Sequence, residues 1–325
     1  MPGRVVAVGE LLALSSAVSF GLTHFAAGLA ARRTAGVTVA LYAQVCGTVV
    51  SVTAALAIPA AGAPDAAGLG WGALSGVGTG VGVAFLYRAL TTGAMSVVVP
   101  VSDVTAVAVP VVLGISLLGE RPAAAALAGI AAAFPALWLV SRGPDGQDGG
   151  EGRRSPGPPR RYAPEPDRGA HGPSRPAAYP RRRGSPSVDA LIAGAGFATH
   201  FIALARLPAN EGVAGGGGDL WAVTVSRAVS VAVVAVAVLG DRAPWVLPRR
   251  CAPHVAVAGV LGTLATVLYL YAARAELMAV ATVLASLYPA IPVLLALLVL
   301  RERLTLPQSA GLVCAGAAIG LIALA

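Results

Sequence analysis

Apolar residues come along this chain in long, nearly unbroken stretches, without the alternation of a half-buried strand or the three-and-four spacing of a helix lying on a soluble core. Stretches such as 97–118 and 280–300 have no continuous polar face. A helix that is apolar all round must be covered all round. A membrane-spanning helix takes ~20 mostly apolar residues, and this measure divides the chain into ten spans, near 5–30, 36–60, 68–90, 93–118, 123–141, 189–207, 219–240, 252–273, 277–300 and 305–325. Short polar connections such as Thr91-Thr92, Gly119-Glu120-Arg121 and Arg301-Glu302-Arg303 imply antiparallel helical hairpins. The first stretch is too long for the core of a signal peptide and further spans follow, so it reads as the first membrane helix. The expected fold class is an all-α integral membrane protein.

One segment breaks the pattern. Residues 142–187 contain ten prolines, nine glycines and ten arginines, and no Leu, Ile, Val, Phe, Met or Trp. With nothing to bury, such a segment is expected to be a disordered linker. It also changes how the charge is read. Of the 325 residues 56% are hydrophobic and 12% charged, against roughly 25% charged in a soluble protein, yet the net charge is +8, with arginine as the only basic residue apart from histidine. The linker's ten arginines and five acids supply +5 of it. A nucleic-acid surface needs its basic residues gathered on one folded face, so no nucleic-acid partner is expected. Cys46, Cys251 and Cys314 form no C-x-x-C spacing and are odd in number, which argues against a disulfide framework or a zinc site.

The spans repeat. Counting back from Glu120 and from Glu302 meets Pro110 and Pro292 ten residues before, and Tyr87 and Tyr269 thirty-three before; counting forward meets Gly129 and Gly311 nine after. The offset is 182 residues each time. Thr23-His24-Phe25 of the first span returns as Thr199-His200-Phe201 of the sixth. The expected organisation is therefore a first five-helix repeat over 1–141, a linker over 142–188 and a second repeat over 189–325. Five is odd, so the second repeat enters the membrane in the opposite sense. Inverted repeats around a midplane site are a hallmark of secondary transporters, because exchanging the conformations of two similar halves gives alternating access.

The two Leu-x-Glu-Arg ends, the Tyr288-Pro289 step, the glycine nine residues on and the duplicated five-helix halves resemble the EamA family of the drug/metabolite transporter superfamily. The resemblance implies a ten-helix transporter, commonly an exporter of amino acids, other metabolites or drugs, without a bound cofactor and not an enzyme. The long Arg/Pro/Gly insert and a histidine in each first helix depart from the family pattern, so the substrate class does not transfer.

Ionisable groups inside membrane spans are costly and mark functional sites. The repeat puts His24 and His200 at equivalent positions, where they could face each other across a central cavity and bind a proton or solute; each could equally be a packed, hydrogen-bonded histidine. Asp103 and Arg227 must pair with each other or line a wet cavity. Glu10, near a helix end, is a candidate proton carrier by analogy with small multidrug members of the superfamily. Tyr87, Tyr269, Tyr271 and Tyr288 offer stacking surface for an organic solute. Pro100 and Pro110, and Pro289 and Pro292, predict kinked or opened helices near the cavity. Gly72, Gly76 and Gly80 in the third span, and Ala258, Gly262 and Thr266 in the eighth, predict close helix packing. The two Leu-x-Glu-Arg ends read as helix-boundary devices.

With ten spans, Arg4, Arg121, Arg206 and Arg274 fall on the side of the termini and eight other loop arginines, with the linker's ten, on the opposite side. The positive-inside rule then puts the linker in the cytoplasm of a cell carrying this protein in its plasma membrane, expected to be bacterial. The reading is a secondary transporter, expected to export a small organic metabolite or drug as a monomer or homodimer in the lipid bilayer. Two rivals stand beside it: a lipid-carrier flippase of the same fold, and a membrane redox protein in which His24 and His200 ligate a haem.

Overall fold

A computed structural model describes residues 2–31, 33–58, 65–92, 95–117, 119–140, 186–208, 217–288, 291 and 306–323. Among them the secondary structure is entirely helical. The α-helices are α1 (Pro2–Ala31), α2 (Gly36–Ala57), α3 (Ala66–Thr92), α4 (Met95–Ser116), α5 (Ala124–Val140), α6 (Pro186–Ala205), α7 (Gly217–Asp241), α8 (Ala252–Ala275), α9 (Met278–Ala285) and α10 (Leu306–Ala323), with a short 3-10 turn at Arg249–Cys251 before α8. The expected linker lies almost wholly outside the described residues, as do the second Leu-x-Glu-Arg end, Pro289 and Pro292.

Local chemistry explains several boundaries. Pro253 sits in the first turn of α8, where a proline's missing N–H costs nothing. Gly119 turns the chain after α4 with φ +69°, a conformation that a side chain disfavours. The Glu120 carboxylate, just beyond it, accepts the backbone N–H groups of Met278 (2.8 Å) and Ala279 (3.1 Å). It thereby caps the start of α9, whose first N–H groups lack partners within the helix. Glu120 acts here as a boundary device, and for a helix of the other half. Pro110 and Pro135 lie inside α4 and α5.

Among the described residues, six helical stretches are long and apolar enough to cross a membrane: Val8–Ala31, Gly36–Ala57, Ala66–Ala89, Val188–Ala205, Gly218–Asp241 and Arg249–Ala275. The distribution of polarity is inside out. Leu11, Val49, Leu56, Val112, Val236 and Val313 face outward, while Ser16, Ser75, Ser226, Thr266 and His200 are buried. In water that outer surface would be a large unfavourable patch; in lipid it is the stable arrangement. The protein is a multi-pass membrane protein.

The helices pair in a regular way. α1 packs along α8 and α3 along α6; α3 packs on α7 and α2 on α8; α4 meets α6 and α1 meets α9. The α2–α7, α4–α9 and α5–α10 pairs are also in contact, with smaller contacts between other helices. Exchanging α1–α5 with α6–α10 turns each of the first three couples into its own second member and leaves the last three pairs unchanged. The backbones of α3 and α6 come close together. A side-chain carbon on Gly196 would lie 2.6 Å from the Gly82 nitrogen and 2.7 Å from the Gly78 carbonyl, and one on Gly78 would lie 2.6 Å from the Gly196 carbonyl. Only bare backbone fits, as small-residue packing in membranes requires.

Candidate functional site

The paired helices enclose a cavity of about 90 Å³ whose wall takes residues from α1, α2, α3, α4, α6, α7 and α8 and from the turn after α9. On a scale of ~10–15 Å³ per water this is room for several waters or part of a small solute. Phe20, Phe197 and Phe201 supply much of its apolar surface. Phe20 and Phe201 meet edge to face, with centroids 6.2 Å apart.

The two histidines both line it, in different settings. His24 stacks on Tyr288, with ring centroids 4.8 Å apart and planes 27° from parallel. Tyr288 donates its O–H to Asp103 Oδ1 at 2.5 Å, while Asp103 Oδ2 is buried without a partner among the described residues. His200 is clamped instead. Its Nδ1 lies 2.8 Å from Ser75 Oγ and 2.7 Å from Thr79 Oγ1, and Ser75 Oγ lies 2.9 Å from Ser226 Oγ. One polar chain thus ties α3, α6 and α7 together behind the cavity wall.

Arg227 enters from α7 and is only 7% exposed. Nη1 donates to Gln44 Oε1 at 2.8 Å, and Nη2 to the Gly262 carbonyl and the Thr266 hydroxyl. The Nε–H has no partner among the described residues. Asp103 and Arg227 are not paired with each other; both line the cavity, each with neutral partners of its own. The ion pairs among the described residues are Arg88–Asp241 and Arg274–Asp219, outside the cavity wall.

Of the tyrosines, Tyr87 and Tyr288 reach the cavity and two do not. Tyr269 is fully buried, its hydroxyl donating to the Phe201 carbonyl (3.3 Å) or Thr282 Oγ1 (2.8 Å). Tyr271 lies beside the Arg274 guanidinium, 5.9 Å from its ring centroid. Glu10 does not line the cavity either; it sits near Glu276, whose carboxyl is held above its ordinary range by burial and secondarily by the charge of Glu10. Sequence reasoning passed over Gln44, Ser75 and Thr79. Gln44 could have been found, being an amide deep inside an apolar span, whereas the two hydroxyls look like ordinary small packing residues.

Residues 190–324 match the EamA-like transporter family, which belongs to the drug/metabolite transporter superfamily. A solved structure described only as "Crystal structure of protein" superposes over 97% of this chain and 97% of its own, with a TM-score of 0.64 at 14% identity; the likeness is one of fold. No curated protein matches the sequence. The chain is thus a multi-pass membrane protein in which residues 190–324 are similar to the EamA-like transporter family.

Proposed function

We propose that the protein is a ten-span secondary transporter that exports a small organic solute across the plasma membrane by alternating access, with two inverted repeats, 1–141 and 189–325, joined by a cytoplasmic linker. The observation that carries this reading is the exchange relation among the main helix pairings around one cavity with polar side chains in a largely apolar wall. If each pairing has a counterpart under exchange of the halves, then swapping the two halves' conformations gives a second arrangement of similar energy, open to the other side. His24, His200, Asp103, Arg227, Tyr87 and Tyr288 are the polar wall of the pathway; Tyr269 supports it from behind. Tyr271 and Glu10 stand at its periphery.

The test uses single cysteines at Ala43 and Ala106, on the cavity wall from α2 and α4, in a background with the native cysteines replaced by alanine. A membrane-impermeant maleimide should label both positions from either face of oriented vesicles, because a transporter visits both open states. Labelling confined to one face would overturn alternating access. Reporter fusions at Ala325 and within 150–180 check the orientation: a cytoplasmic reporter is expected to be active in the linker and silent at Ala325.

A further inference from the structure

Arg227 is a cation whose partners are an amide oxygen, a backbone carbonyl and a hydroxyl. Its three hydrogen bonds leave two of the guanidinium's five N–H donors without a protein partner among the described residues, the buried Nε–H among them. A buried charge with no counter-charge costs several kcal/mol, and the neutral oxygens around it do not cancel that charge. The carboxylate on the same cavity wall, Asp103, is engaged by Tyr288 and not by Arg227. Gln44 Oε1 accepts from Arg227, and no partner of its amide N–H groups is found among the described residues. The α2–α7 wall thus carries spare guanidinium and amide donors, and the one carboxylate on the cavity wall, Asp103, does not engage them: its Oδ1 accepts from Tyr288 and its Oδ2 is without a partner among the described residues.

We propose that this wall is an anion-binding subsite: the solute carries a carboxylate, or another oxyanion of like size, that takes the free donors of Arg227 and Gln44, while its apolar part rests on the phenylalanines and the His24–Tyr288 stack. A planar guanidinium matches a carboxylate fork to fork, and such charge-assisted bonds are the strong ones. The subsite rests on the transporter reading, which supplies the solute; its ligand chemistry is separately testable.

The purified full-length protein is challenged with isovalerate, isovaleramide, isoamylamine, inorganic phosphate and phosphatidylglycerol, and its melting temperature followed, since a ligand of the folded state raises it. Isovalerate or phosphate should stabilise, and the amide and amine, of the same skeleton as isovalerate, should not. Arg227→Gln should weaken isovalerate binding roughly tenfold or more, with Arg227→Lys in between. Equal shifts from acid and amide overturn the subsite, as does the absence of any shift. Stabilisation by phosphatidylglycerol alone overturns the water-soluble solute and assigns the guanidinium to a lipid headgroup. Should Arg227→Gln fail to fold, the comparison of acid with amide on the unaltered protein still decides. Binding of the acid with labelling from only one face would sink the transporter reading and keep the subsite; labelling from both faces with no preference for the acid would do the reverse.

Discussion

The α1–α8 and α3–α6 pairs exchange into one another between the halves, and each carries one of the two matching histidines, yet they are built differently. Along α3–α6 the backbones touch through Gly78, Gly82 and Gly196, and His200 is held by two hydroxyls, 4% exposed. Along α1–α8 the contact is looser at the equivalent depth: a side-chain carbon on Gly262 would meet nothing nearer than Thr23 at 3.4 Å. There His24 keeps only a stacked tyrosine as a ring partner among the described residues. One pair is locked and polar at its core; the other leaves its histidine to the cavity. What a side chain does depends on its neighbours, and those of His24 and His200 differ.

The largest expected effect follows from the lock. His200→Ala removes one partner from each of the Ser75 and Thr79 hydroxyls, which keep Ser226 and the Ser75 carbonyl, and opens a void; it should cost about 2–4 kcal/mol in stability. His24→Ala loses a ring stack worth about 0.5–1.5 kcal/mol and should leave expression intact while impairing transport. Unfolding midpoints of both variants in detergent, with transport rates alongside, check this; equal losses of stability would erase the distinction. Next in size is backbone contact. Gly196→Ala drives a methyl into backbone atoms and should destabilise by about 1–3 kcal/mol, whereas Gly262→Ala meets only ordinary contact and should be near neutral in the same assay.

The smallest effect concerns the end of the α1–α8 pair, where Glu10 and Glu276 lie together; the residue 182 positions before Glu276 is Ala94, so the other half has no such acid. Folding raises the Glu276 carboxyl above its ordinary range, so the folded state holds that proton more tightly. The stabilisation this gives is present at low pH and is lost as pH rises through the folded value. Glu276→Gln, which mimics the protonated form, should match the parent near about pH 4 and become slightly the more stable of the two towards about pH 8. Melting temperatures across that range test the sign.

Much of the fold was legible because membrane burial demands long apolar runs: every described helix falls within a few residues of a stretch marked by hydropathy alone. The membrane setting was likewise readable from residue type, and the EamA resemblance is matched over residues 190–324. The site was legible only in part. Asp103, Arg227, Tyr87, Tyr288 and the histidines stood out because polar groups in apolar spans are costly. Tyr269 and Tyr271 carried the same signal but are turned to other work. Gln44, Ser75 and Thr79 gave too weak a signal to be singled out.

What the sequence determined by itself is where the long apolar helices run, since that depends on local composition. Which charge meets which partner was decided only by the tertiary structure. Asp103 finds Tyr288, 185 residues away, and Arg227 finds Gln44, 183 residues away. Contacts at that separation depend on how helices from opposite halves pack, and the packing leaves the guanidinium on the cavity wall without a carboxylate.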